Sequence, residues 1–175
     1  MDTDVINRID IREGDITKCR VDAIVNAANN SLLGGGGVDG AIHRGAGPEL
    51  LDACRKIGGC PTGDARITRA YNLPATYVIH TVGPIYSGRP EDATLLASCY
   101  ENSLQLALDH QVGQIAFPAI SCGVYGYPID DASKIAVDTC LEFLHRHGAI
   151  SKVIFVLFTT DAAEIYRRYI KTIQG

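Results

Sequence analysis

The residues best suited to chemistry lie in a glycine-rich segment, residues 26–47, that follows a short apolar strand. Four consecutive glycines, Gly34 to Gly37, allow backbone conformations that other residues avoid and let a ligand approach the main chain closely. The polar residues Asn29 and Asp39 lie on either side of these glycines. A helix predicted to begin near Val38 would expose backbone N–H groups that can bind phosphate or another anion. The segment therefore predicts a nucleotide-diphosphate site with one carboxylate placed for chemistry.

The overall composition is that of a soluble globular protein. Hydrophobic residues make up 46% and charged residues 21%, and 175 residues suit one domain, residues 1–175, with a substantial core. The formal net charge of −4 argues against nucleic acid and against an anionic membrane as partners. A phosphate ligand is therefore expected to be held locally by backbone donors.

The cysteines and the N-terminal residues indicate where the chain resides. Six cysteines are scattered, without a C-x-x-C pair or a histidine cluster at zinc spacing, which predicts free thiols and no metal site. The first ten residues contain three aspartates and no apolar block, so they are not expected to form a secretory signal. No apolar stretch is long enough to span a bilayer. The expected location is the reducing cytoplasm.

Short apolar segments alternate with amphipathic segments along the whole chain. The predicted strands are residues 5–12, 21–27, 65–70, 77–82, 114–120 and 152–158. The predicted helices begin near Val38, Pro48, Thr94 and Pro128, and Asp161 is expected to cap the last one. This order predicts an α/β fold: a three-layer α/β/α sandwich with a mixed, centrally parallel sheet. Segments 27–39, 121–127 and 158–161 leave strand ends and should share one rim, where ligands of such sheets bind.

Four motifs in this order resemble the macrodomain family. They are Gly14 to Thr17, Val25 to Asn29, Gly34 to His43, and Pro118 to Gly126. The resemblance runs from about Ile9 to the last helix and is closest to the MacroD-type branch, near the bacterial O-acetyl-ADP-ribose deacetylases. It implies a three-layer sandwich that binds ADP-ribose in one deep cleft, with no cofactor.

The resemblance also implies a role for each motif. Asp15 would accept a hydrogen bond from the adenine amino group, the backbone of Ile16 would contact the ring, and Phe158 would pack against it. Asp39 and Asn29 would be the catalytic residues, with Asn29 bound to the distal ribose. The diphosphate would be held by main-chain N–H groups of two loops, the first formed by Gly36, Gly37, Val38 and Asp39 and the second by Ser121, Cys122, Gly123, Val124 and Tyr125.

These roles have a physical basis, although each motif alone also has a structural explanation. A carboxylate suits the amino group of adenine, and backbone donors suit a diphosphate. Asp39 could activate a water for attack on an ester or at the anomeric carbon. The substrate's own phosphate could instead polarise the water with Asp39 orienting it, and the sequence leaves both open. Taken singly, the glycines could form a flexible loop, Asp39 a turn and Asp15 a helix cap. The combination in one order favours the functional interpretation.

Three further residues are expected to be structural. His43, four positions after Asp39, is predicted to pack and to bond a backbone carbonyl, and His80 to be a hydrogen-bonded core histidine. Cys122 has no identifiable base beside it, so only its backbone N–H is expected to matter.

The sequence therefore predicts a hydrolase that acts on the distal ribose of ADP-ribose derivatives. Its expected substrates are O-acetyl-ADP-ribose and proteins that carry mono-ADP-ribose on acidic side chains. The alternative is a module that binds ADP-ribose without turnover. Asn29, Asp39 and the glycines between them favour the enzyme.

Overall fold

A computed structural model describes residues 2–175, which form six strands and six α-helices. The strands are β1 (Ile9–Glu13), β2 (Ala23–Ala27), β3 (Ala65–Arg69), β4 (Tyr77–Thr81), β5 (Gln114–Phe117) and β6 (Lys152–Leu157). The helices are α1 (Thr3–Ile6), α2 (Gly37–Ala46), α3 (Pro48–Ile57), α4 (Pro90–Asp109), α5 (Ile129–Arg146) and α6 (Thr160–Gln174). A short 3₁₀ helix, Ile16–Lys18, follows β1. No helix in this range is both long and apolar enough to cross a membrane.

The strands form one sheet in the order β1-β6-β5-β2-β4-β3. All neighbouring strands from β1 to β4 are parallel, and β3 pairs antiparallel with β4 at the edge. The predicted mixed, centrally parallel sheet is confirmed. The inner strands are mostly buried and mostly apolar, as expected for strands covered on both faces.

Helices cover both faces of this sheet and produce two separate cores. On one face, α2 and α3 pack through Ile42, Ala46, Leu50 and Cys54 against Ile24 and Val78 and their neighbours. On the other face, α1, α4, α5 and α6 pack on a larger core that contains Phe117, Phe155, Tyr100 and Tyr166. The result is the predicted three-layer α/β/α sandwich.

Several predicted boundaries were wrong, each for a local reason. Val5 and Ile6 lie in the short helix α1, which the Asp2 carboxylate caps by accepting a hydrogen bond from Asp4 N, and β1 starts only at Ile9. Helix α4 starts at Pro90, since proline fits the first position of a helix.

Two boundaries also differ at the other end of the chain. The last helix is capped by Thr159, whose side chain accepts a hydrogen bond from Ala162 N, and not by Asp161. Strand β6 ends at Leu157, so Phe158 lies just beyond it.

The sheet topology brings distant segments to a common edge. Strands β1, β6, β5 and β2 are neighbours and run in the same direction, so the residues after each strand meet at the carboxyl edge. Asp15, Phe158, Ser121 and Asn29 follow these strands in that spatial order. The predicted shared rim is confirmed.

Candidate functional site

The glycine segment forms the turn between β2 and α2. Gly34 and Gly37 adopt the left-handed region, with φ of 90° and 58°, which other residues rarely occupy. Gly36 is the N-cap of α2 and supplies no side-chain hydrogen bond to the helix. The first amides of α2, those of Gly37, Val38 and Asp39, therefore have no intrahelical partner. Unpaired amides at a helix N-terminus can bind an anion, as the sequence of this segment predicts.

The turn brings Asn29 and Asp39 to either side of Gly35. The amide of Asn29 is fixed at both ends: its Nδ2 donates to Gly34 O at 3.0 Å, and its Oδ1 accepts from Ser31 Oγ at 2.7 Å. A Cβ atom on Gly35 would lie 3.1 Å from Asp39 Oδ2 and 3.5 Å from Asn29 Nδ2. The two side chains predicted to be catalytic are therefore close together across a glycine.

Asp39 is buried, with 5% of its surface exposed, in the first turn of α2. Its Oδ1 accepts a hydrogen bond of 2.9 Å from Asn26 Nδ2. Its Oδ2 faces Gly35 and makes no hydrogen bond within residues 2–175. One carboxylate oxygen is thus held from beneath while the other is available on the side of the glycine turn.

His43 lies one helical turn after Asp39 and points at the same carboxylate. Its Nε2 is 3.4 Å from Asp39 Oδ1 and makes no well-aligned hydrogen bond in the described part of the chain. Its position in the sequence predicted a bond to a backbone carbonyl; instead the ring faces Asp39. A shared helix face one turn apart explains this contact.

The second loop, residues 121–127, is braced from several sides. Ser121 is buried at a φ of 67°, and its Oγ donates to Pro84 O at 2.8 Å. Tyr86 N donates to Tyr125 O at 2.9 Å. These bonds hold a non-glycine residue in a conformation that costs free energy, which is typical of functional loops.

The centre of this loop presents unused backbone donors. Within the described residues, the amides of Gly123, Val124 and Tyr125 make no hydrogen bond, and the Val124 side chain is fully exposed. Cys122 has its thiol pKa raised to about 12 by burial, so the thiol stays protonated at neutral pH. The loop therefore offers backbone N–H groups and no thiolate nucleophile.

Asp15, Ile16 and Phe158 lie together at the opposite end of the rim. Gly14 N donates to Leu157 O at 2.9 Å, which ties the residues after β1 to the end of β6. Asp15 Oδ1 accepts from Thr17 Oγ1 at 2.6 Å and Thr17 N at 2.9 Å, and these bonds lower the pKa of Asp15. Asp15 is thus a cap, yet its Oδ2 makes no hydrogen bond in the described chain. Phe158 is 85% exposed, so its ring is accessible at this end of the rim.

Sequence reasoning missed the buried polar residues beneath Asp39. Asn26 in β2 and His80 in β4 are fully buried and hydrogen-bonded to one another, and His80 also contacts Thr68 of β3. The prediction of His80 as a hydrogen-bonded core histidine is confirmed, but its link to Asp39 was not predicted. The sequence feature that could have revealed this link is a polar residue, Asn26 or His80, within an otherwise apolar strand. No group of three or more His, Cys, Asp or Glu side chains within residues 2–175 is arranged to hold a metal ion.

The fold and this geometry define an α/β protein with a candidate nucleotide-diphosphate cleft at the carboxyl edge of its sheet. The chain matches the model of the Macro domain family over residues 25–136 and belongs to that family.

Relatives and solved structures of this family resemble the chain over nearly its full length. An O-acetyl-ADP-ribose deacetylase of Citrobacter koseri is 54% identical, over 97% of this chain and 98% of that protein. The ADP-ribose glycohydrolase MACROD2 of Xenopus laevis is 54% identical over 92% of this chain, which spans 39% of that longer protein. The crystal structure of a Trypanosoma brucei macrodomain in complex with ADP-ribose superimposes with a TM-score of 0.91 at 45% identity, covering 96% of this chain and 72% of that one.

Close packing of α2 on the glycine turn leads to a first prediction. A Cβ atom on Gly40 would lie 2.5 Å from the carbonyl oxygen of Gly35. Because backbone cannot move aside easily, Gly40→Ala should lower the free energy of unfolding by about 1–3 kcal/mol. Urea denaturation would measure this change.

The matched control is Gly148→Ala, where a Cβ atom would meet nothing within 4 Å. We expect that substitution to change stability by less than about 0.5 kcal/mol. Equal effects of the two substitutions would contradict the close contact between α2 and the turn.

Proposed function

We propose that this protein is a hydrolase that removes a group attached to the distal ribose of ADP-ribose derivatives. The main support is that Asp39 Oδ2 and Asn29 Nδ2 face each other across Gly35, next to backbone amides that have no hydrogen-bond partner in the helix. The names of the deacetylase and glycohydrolase relatives, and the ADP-ribose complex of the structural neighbour, support the same reaction class.

The proposed ligand runs along the carboxyl edge of the sheet. Adenine lies at the β1–β6 end, where Asp15 Oδ2 accepts from its amino group, Ile16 contacts the ring through its backbone, and Phe158 covers one ring face. The distal ribose lies at the β2 end beside Asn29 and Asp39. Strands β1 and β2 are three positions apart, or about 14 Å at the usual strand spacing, which requires an elongated ligand.

The diphosphate occupies the middle of this rim in the proposal. It is bound by the amides of Gly36, Gly37, Val38 and Asp39 at the start of α2. The amides of Ser121 to Tyr125, in the second loop, bind it from the other side. Backbone donors at a helix N-terminus suit a charged diphosphate because they are fixed and need no counter-ion side chain. Tyr125 then lies over the diphosphate and the distal ribose.

Ester cleavage is the proposed reaction at the distal ribose. A water adds to the ester carbonyl carbon, the bond from that carbon to the ribose oxygen breaks, and the products are free carboxylate and ADP-ribose. Asn29 positions the ribose. One proton of the water passes either to Asp39 or to the substrate's phosphate, with Asp39 orienting the water. That proton is returned to the ribose oxygen as the ester bond breaks, and the carboxylic acid product loses its remaining proton to solvent.

Two substrates fit this chemistry. O-acetyl-ADP-ribose and a protein with mono-ADP-ribose on a glutamate or aspartate both carry an ester on the distal ribose. A site that recognises the nucleotide and attacks that ester can therefore accept both.

In this proposal, residues 1–175 form one ADP-ribose-binding domain of a cytoplasmic protein. All six cysteines are free thiols, as is usual in a reducing compartment. ADP-ribose, its O-acyl derivatives and mono-ADP-ribosylated proteins are the proposed partners, whereas the net charge of −4 disfavours nucleic acid.

Replacing Asp39 tests the catalytic role. Asp39→Ala should lower the rate of acetate release from O-acetyl-ADP-ribose by about 100-fold or more, because the carboxylate beside the ester is lost. Calorimetry should still detect ADP-ribose binding, since the backbone donors remain. Asp52→Ala, an exposed aspartate on α3, is the control and should retain full activity.

Parallel loss of binding and turnover in Asp39→Ala would make Asp39 a residue of binding or folding. Absence of acetate release from the unmodified protein, with ADP-ribose still bound, would identify a binding module and overturn the hydrolase.

Replacing Asp15 tests the adenine end. Asp15→Asn keeps an acceptor for the cap at Thr17 but turns an NH₂ group towards the proposed adenine amino group. We expect the Kd for ADP-ribose to rise about tenfold, in keeping with the loss of a hydrogen bond to a charged acceptor.

Asp10→Ala, at an exposed aspartate of the neighbouring strand β1, is the matched control and should leave the Kd unchanged. An unchanged Kd in Asp15→Asn would remove adenine recognition from Asp15.

A further inference from the structure

A row of buried polar side chains leads from the edge of the sheet to Asp39. Thr68 of β3, His80 of β4 and Asn26 of β2 project from three neighbouring strands on the face covered by α2 and α3. His80 Nε2 is 3.0 Å from Thr68 Oγ1, and His80 Nδ1 is 3.2 Å from Asn26 Nδ2. Asn26 Nδ2 then donates to Asp39 Oδ1 at 2.9 Å. The row ends on the carboxylate of the proposed reaction.

The Asp39 carboxylate, which accepts the hydrogen bond from Asn26, sets the arrangement of protons along this row. Asn26 Nδ2 donates one hydrogen to Asp39 and the other to His80, so His80 Nδ1 must be an acceptor. The His80 proton therefore lies on Nε2 and is donated to Thr68 Oγ1, whose own hydroxyl donates to Arg69 O at 3.0 Å. Burial, with a contribution from His43, lowers the pKa of His80 to about 3, which agrees with a neutral ring.

This arrangement fixes which way the Asn26 amide points. In the reverse orientation, Asn26 Oδ1 would lie at the same short distance from Asp39 Oδ1, and two acceptor oxygens without a proton between them would repel each other. In the observed orientation Asn26 Oδ1 is buried without a hydrogen-bond partner among residues 2–175. The Asn26 oxygen is therefore unpaired in the orientation that places the NH₂ group between Asp39 and His80.

A purely structural role does not explain this row. The surrounding residues, which include Ile24, Ile42, Leu50 and Val78, are apolar and fully buried. An apolar side chain at position 80 would fill such a core without any need for hydrogen-bond partners. His80 is itself fully buried and cannot touch a ligand in the cleft.

We propose that His80, held in its Nε2–H form by Thr68, is a positioning residue that aims the Asn26 amide and thereby fixes the Asp39 carboxylate for hydrolysis. The inference deepens the proposed function and rests on it. Its consequence is specific: loss of the row should impair turnover, which depends on the position of Asp39, more than the binding of ADP-ribose, which depends on backbone amides.

A matched pair of threonine variants tests this consequence. Thr68→Val removes the acceptor for His80, whereas Thr81→Val removes a buried hydroxyl of similar character that donates to Asp64 O at 2.8 Å. We expect Thr68→Val to lower kcat for O-acetyl-ADP-ribose roughly threefold with the Kd for ADP-ribose unchanged, and Thr81→Val to leave kcat unchanged. Equal kcat values in the two variants, or a parallel loss of binding in Thr68→Val, would overturn the positioning role.

Variants of His80 provide a larger effect and a rescue. His80→Leu should lower kcat about tenfold, because even a small misplacement of a catalytic group slows the reaction, with little change in Kd. His80→Gln can present an acceptor to Asn26 and a donor to Thr68, so it should recover part of that loss. A glutamine variant no better than the leucine variant would count against the inference.

The tautomer of His80 can be measured in the unmodified protein, so this test does not require any variant to fold. Nitrogen-15 NMR of the ring should show an unprotonated Nδ1 and a protonated Nε2 at neutral pH. A proton on Nδ1 would overturn the inference directly. If the unmodified protein binds ADP-ribose but releases no acetate, the proposed function fails, and the NMR result separately decides whether the row exists.

Discussion

The burial of one carboxylate at the start of a helix is the constraint on which the rest of this structure depends. Asp39 is almost fully buried beside an apolar core, where an uncompensated charge would be very unfavourable. It is stabilised by the Asn26 amide and by its place in the first turn of α2, where the helix dipole favours negative charge. The glycines that precede it are what allow the chain to turn from β2 into that helix so tightly.

The cores on the two faces of the sheet differ in size and in polarity. The face covered by α1, α4, α5 and α6 has the larger core, which is mainly aromatic and aliphatic. The face covered by α2 and α3 is smaller and contains Asn26, His80 and Thr68 directly beneath the candidate site. The sheet therefore separates the larger apolar core from the polar residues beneath the candidate site.

The candidate site also combines rigid support with an open surface. Ser121 is strained but braced by Pro84, and Asn29 is held at both ends of its amide. By contrast, Val124 and Phe158 expose apolar surface at the rim, where the proposed nucleotide would cover it. A prearranged set of backbone donors loses little freedom when a ligand binds, which favours affinity without cationic side chains.

The sequence by itself determined the layers of the fold and most of the candidate residues. Strands buried on both faces are continuous apolar runs, and the glycine turn, Asp15 and the second loop are contiguous motifs, so local patterns are sufficient to find them. Only the tertiary structure decided that β3 runs antiparallel, that Val5 and Ile6 belong to a capped helix region, and that His43 faces Asp39. It alone also joined Thr68, His80 and Asn26, because these residues lie on three different strands, Asn26 is 54 positions from His80, and they become neighbours only when the strands pair side by side.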